Sequence, residues 1–178
     1  MPLFQFQALL LLALAQPALP PSPTPAYIHD GGPVLAQAER DSLNARIGAL
    51  QRATGGDVGV AIVRDLGGRA PSDVGLSIYR AWKLGLDEEV GSARRDLGAV
   101  LLIVPKELAP DGRGECWVTT GYGAEGTLID ARAGAICRDS VIPRLRERAY
   151  AAAVRAGVDG IGATFREATA DAGAPGAV

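Results

Sequence analysis

The stretch Asp96–Asp130, DLGAVLLIVPKELAPDGRGECWVTTGYGAEGTLID, decides the fold. Gly98 to Val104 is a nearly unbroken apolar run, the pattern of a strand buried on both faces. Pro105 stops the run, and Asp111-Gly112 supplies turn chemistry. Glu115 to Thr120 resumes as an alternating strand, with Cys116 and Val118 on one face and Trp117 on the other. So short a connection makes the two strands antiparallel neighbours. Asp96, which opens the first strand, then stands beside Gly121-Tyr122-Gly123, which closes the second. A carboxylate, a glycine-rich turn and Glu125 meet at one edge of a sheet.

Upstream, Asp57 to Arg64 (DVGVAIVR) is a second strand that is apolar on both sides. Between the two strands, Pro71 opens a helix in which Val74, Ile78 and Trp82 repeat at four-residue spacing, and Gly85 ends it. A right-handed crossover through that helix makes the strands parallel. Residues 35–53 form an earlier helix with Ala36, Leu43, Ile47 and Leu50 on one face, stopped by Gly55-Gly56. Residues 86–95 (LDEEVGSARR) read as a polar loop whose three acids are solvated charge.

Downstream, Thr127-Leu-Ile-Asp130 has the form of a capping box, and Ile129, Ala133, Ile136 and Cys137 make an apolar helical face. Pro143 breaks or restarts this segment. The last helix, residues 149–168, carries Tyr150, Val154, Val158, Ile161 and Phe165 at intervals of four and three. The order α-β-α-β-β-α-α predicts an α/β fold, a three-layer α/β/α sandwich with a small mixed sheet of three to four strands.

The chain has 178 residues and 48% hydrophobic content, enough for one domain with its own core. A net charge of −2, without a dense Lys/Arg run, excludes a nucleic-acid surface. Residues 1–15 are apolar and end in Ala13-Leu14-Ala15, the pattern of a cleaved signal peptide. Export to the periplasm or secretion is the expectation, with no transmembrane helix in the mature chain. Residues 16–30 read as a Pro-rich linker, residues 31–168 as the domain, and residues 169–178 as a flexible tail. His29 is the one histidine, and its expected place is a solvated tail. Cys116 and Cys137 leave two readings open: a disulfide, which export permits, or two buried thiols.

If the two inner strands are parallel, Asp57 and Asp96 start at the same end of the sheet, and the acids at 87–89, Glu125 and Asp130 converge there. Oxygen ligands without a nearby His or Cys suit a hard cation, and calcium accepts carboxylates and carbonyls from separate loops. The expected metal ligands are Asp96, Glu125 and Asp130. Each also has a structural reading, as a strand start, a surface residue and a helix cap. No G-x-S-x-G, Walker A, H-E-x-x-H or Rossmann fingerprint is present.

One ordered set of residues spans the domain: Thr54-Gly55, Asp57 with Val60, Trp82 to Gly85, Asp96 with Gly98 to Ile103, Gly121-Tyr122-Gly123, Glu125, Leu128, Asp130 and Pro143. This set resembles the TPM domain family, which includes a thylakoid-lumen acid phosphatase involved in photosystem II repair. Leu97 stands where that family often has Asn, and Ala124 where a large apolar residue is frequent. The resemblance implies an α/β/α sandwich, an exported or lumenal location, calcium binding and, for some members, phosphatase activity. Two functions follow as expectations. One is a non-catalytic accessory module that binds a protein partner at or near a membrane complex. The other is a metal-dependent acid-phosphatase-like hydrolase of phosphoesters.

Overall fold

Side-chain alternation along the central strands divides the interior into two cores, one on each face of the sheet. The computed structural model of the protein describes residues 18–85, 97–125 and 128–172. Four strands, β1 (Ile28–Asp30), β2 (Asp57–Ile62), β3 (Gly98–Val104) and β4 (Glu115–Thr120), lie in sheet order β1-β2-β3-β4. β1, β2 and β3 are parallel and β4 is antiparallel to β3, with Asp57 beside Gly98 and Ala99 beside Thr120. All seven residues of β3 are buried, as a strand covered twice must be.

On one face, Val58, Val60 and Ile62 of β2 join Ala99, Leu101 and Ile103 of β3. Over them pack α1 (Gln37–Thr54), α4 (Asp130–Ala135) with a following π-helical segment (Ile136–Val141), and α6 (Tyr150–Ala172). Val154, Val158, Ile161 and Phe165 of α6 are fully buried there, as their spacing predicts. On the other face, Ala61, Val100 and Leu102 meet one helix, α2 (Pro71–Trp82), through Val74, Ile78, Tyr79 and Trp82. Glycine lets this helix lie close: a methyl on Gly59 would stand 2.8 Å from the Trp82 ring. The three-layer expectation holds, with unequal layers.

β1-α1-β2 and β2-α2-β3 step across the sheet in the same direction, yet α1 and α2 lie on opposite faces. Two crossovers that advance the same way over opposite faces have opposite hands. The parallel pairing of β2 and β3 agrees with the sequence, but the right-handed rule cannot describe both connections.

β1 revises the linker reading. Ile28, His29 and Asp30 pair with Val60, Ala61 and Ile62, so the sheet begins inside the stretch read as linker. His29 is half-buried in a strand, not a solvated tail residue, because β2 supplies the register that three residues alone do not display. The Pro-rich segment also docks: the Trp82 indole N–H donates to the Pro20 carbonyl at 3.0 Å.

Two helix boundaries differ from expectation and a third agrees. Lys83 takes the left-handed position after α2 (φ 56°), ahead of Gly85. The N-cap of α4 is Ile129, so Asp130 is its first residue rather than the third position of a capping box, and Ile129 is 54% exposed rather than part of the apolar face. Pro143 restarts the segment as read: it stands in the first turn of α5 (Ile142–Arg146), which the π-helical turn leads into. A proline clashes with the carbonyl four residues back and lacks an N–H, and a wider turn accommodates both.

Cys116 on β4 and Cys137 in the π-helical segment form a disulfide with Cα atoms 5.6 Å apart, which decides between the two cysteine readings. Among the described residues no helix is long and apolar enough to cross a membrane.

Candidate functional site

The amino end of β2 and β3 coincides with the carboxyl end of β4, so the sheet end inferred from sequence is formed. The Gly121 N–H donates to the Gly98 carbonyl at 2.9 Å, carrying the β3–β4 ladder to its open end there. The chain then makes one helical turn, α3 (Tyr122–Glu125), with Ala124 and Leu128 fully buried beneath it. Burial at position 124 explains its small side chain. Leu97 is likewise fully buried in the larger core, so an apolar residue at that strand start is a packing choice.

The expected ligands fare differently. Asp130 lies at the start of α4, exposed to solvent, and its carboxylate forms no hydrogen bond or ion pair with a described residue. Glu125 closes α3, so its backbone is at this end of the sheet, while its side chain lies outside the described residues. Asp96 and the acidic loop at 87–89 also lie outside them. Among the described residues no three His, Cys, Asp or Glu side chains form a group able to hold a metal ion.

Asp57, the fourth acid at this end, has a structural assignment. Its Oδ1 accepts from Gln51 Nε2 at 2.5 Å, and its Oδ2 accepts the Gly85 N–H at 2.9 Å. Gln51 in turn accepts from the Tyr27 hydroxyl at 2.7 Å. One carboxylate thus ties the end of α1, the exit of α2 and the entry to β1 together, with both oxygens engaged. A cavity of about 330 Å³ opens beside it, lined in part by Tyr27, Gln51, Asp57, Trp82 and Lys83. Sequence reasoning placed Asp57 correctly but missed this network, for which the signal is a Gln one turn before the glycine cap.

Two large side chains near these acids in sequence face solvent: Tyr122 is 82% exposed and Ile129, next to Asp130, is 54% exposed. The histidine is elsewhere. His29 pairs with Ala61 toward the carboxyl end of the parallel strands, whereas Asp57 and Asp130 lie at the amino end. Burial lowers the His29 pKa, and nearby Asp30 opposes that shift.

A family model for the TPM domain matches residues 28–164, from β1 to within α6. The chain belongs to the TPM domain family. Among solved structures, the N-terminal domain of a protein from P. gingivalis is similar at 24% identity and TM-score 0.64, over 82% of this chain and 85% of that one. The N-terminal domain of the cg2496 protein from Corynebacterium glutamicum is similar at 14% identity and TM-score 0.58, over 82% and 84%. Both likenesses concern the TPM fold alone. No curated protein matches the chain.

Proposed function

We propose that this TPM-domain protein is exported and acts as a non-catalytic binding module, taking calcium through Asp96, Glu125 and Asp130 and engaging a protein partner at or near a membrane complex. The observation that carries the reading is the exposure of Tyr122 and Ile129, which stand close in sequence to Glu125 and Asp130. Large apolar side chains left in water beside an oxygen-rich turn are the makings of a contact surface. The Cys116–Cys137 disulfide supports export, because such bridges persist in oxidising compartments. The alternative, a metal-dependent acid-phosphatase-like hydrolase, draws on the family. Against it stand the engaged oxygens of Asp57 and the location of His29 at the other end of the sheet.

Melting in calcium tests the metal. A ligand held only by the folded state stabilises it by about 2.7 kcal/mol at one hundred times its dissociation constant. Millimolar calcium raises the melting temperature, and Asp96→Ala or Asp130→Ala reduces the rise. Identical curves in calcium and in chelator would remove the metal from the proposal. Turnover of a generic phosphate ester by the calcium- or magnesium-loaded protein, lost in Asp96→Ala, would instead establish the hydrolase.

A further inference from the structure

The opposite end of the molecule carries the opposite charge. A cavity of about 510 Å³ lies between the first turns of α1 and α6, and three arginines line it: Arg144 on α5, Arg148 in the turn that follows, and Arg155 on α6. Its volume falls within the range of small-molecule sites. It lies at the end of the fold where the parallel strands finish, the side on which open α/β sheets take ligands. The calcium proposal concerns the other end.

Two of the three guanidinium groups have no carboxylate partner among the described residues, and the third is ion-paired. Arg155 forms no hydrogen bond or ion pair with any described residue. Arg144 gives one N–H to the Ser140 carbonyl at 2.6 Å, and no described carboxylate is bonded to it. Arg148 is ion-paired with Glu107 at 3.1 Å on an exposed site, where such a pair is weak and can yield to a ligand. Two carboxylates line the cavity, and both are committed elsewhere. Glu39 accepts the Ala36 N–H at 2.9 Å, and Asp159 pairs with Arg46 at 2.6 Å.

Arg148 adds a second kind of observation. Its backbone sits in the left-handed region at φ 58°, after the end of α5, where glycine is the ordinary and less strained occupant. The turn thus sets a long cationic side chain, rather than a glycine, at the rim of the cavity. We infer that this cavity binds a doubly charged oxyanion, a phosphate-like or dicarboxylate group, with Arg144, Arg148 and Arg155 as its donors. Guanidinium forks match both geometries.

Titration calorimetry on the full chain at fixed ionic strength, with inorganic phosphate and with succinate as probes, tests this. At least one probe binds saturably. Arg155→Gln and Arg144→Gln each weaken that binding about tenfold, the size of one charge-assisted hydrogen bond. Arg138→Gln, whose side chain pairs with Asp139 and does not line the cavity, leaves binding unchanged. Heats indistinguishable from sodium chloride for both probes would overturn the inference, as would equal loss in Arg138→Gln and Arg155→Gln.

Discussion

The two faces of the sheet bury comparable strands under unequal cover. One face is covered by α1, α4, the π-helical segment and α6, whose aliphatic side chains interlock with β2 and β3. On the other, among the described residues, α2 is the one helix, brought close by Gly59 and Gly98, with Pro20 fastened to Trp82 at its margin. Glycine permits close approach on both faces, at Gly56, Gly157 and Gly162 on the first as at Gly59 and Gly98 on the second; what differs is the number of described helices laid over each. The contrast matters because the disulfide and Asp130 belong to the thick layer, while His29 and the Pro-rich segment border the thin one.

The largest test of the contrast is truncation of each core. Phe165→Ala removes a fully buried ring from the thick layer and costs about 3–5 kcal/mol in urea unfolding. Ile78→Ala, equally buried under α2, should cost less, toward the low end of its range of about 2–5 kcal/mol. Equal losses would erase the distinction.

Adding a methyl group sharpens it from the other side. Gly59→Ala drives a Cβ to 2.8 Å from the Trp82 ring, and such overpacking costs about 1–3 kcal/mol. Gly134→Ala in α4 meets nothing within 4 Å and should stabilise by about 0.5–1 kcal/mol through helix propensity. Thermal melts of the two variants should therefore shift in opposite directions.

A smaller effect concerns the fastening of the Pro-rich segment. Trp82→Phe keeps an aromatic ring but loses the donor to Pro20, for a cost of about 0.5–1.5 kcal/mol. An unchanged urea midpoint would show that the segment rests on the thin face without holding it.

The smallest effect is in pH. His29 and residues 18–21 line the same cavity beside α2, and burial lowers the histidine's pKa below the ordinary 6.5. The unfolded chain then takes up this proton before the folded one does. Stability attributable to His29 is constant above the unfolded pKa and falls as pH drops through it toward the folded value. His29→Gln should flatten that part of the profile; a slope that survives the substitution belongs to other groups.

What was legible in the sequence follows the same division. Two-sided apolar runs announce β2 and β3, and four-residue spacing announces α2 and α6, because each signal is local. β1 was not legible, since three residues between a Pro-rich stretch and Gly31-Gly32 carry no period. Nor was the docking of Pro20, whose partner is 62 residues away. At the candidate site, topology placed Asp57, Glu125 and Asp130 at one end of the sheet. It did not reveal that Asp57 is already bonded, which depends on how α1 and the exit of α2 meet. The arginine cavity escaped for a similar reason: its residues fall in two helices and a turn that sequence reading joined only through Pro143.

The bridge between Cys116 and Cys137 encloses the whole run from Tyr122 to Asp130. A protease that cuts within this run produces two polypeptides, one with all four strands and the other with α6, and neither can diffuse away. Such a nick would be invisible on a non-reducing gel and would show as two bands once reductant is added. Outside the cell, where proteases are common and thiols scarce, a clipped molecule would keep α6 linked to the sheet that it covers.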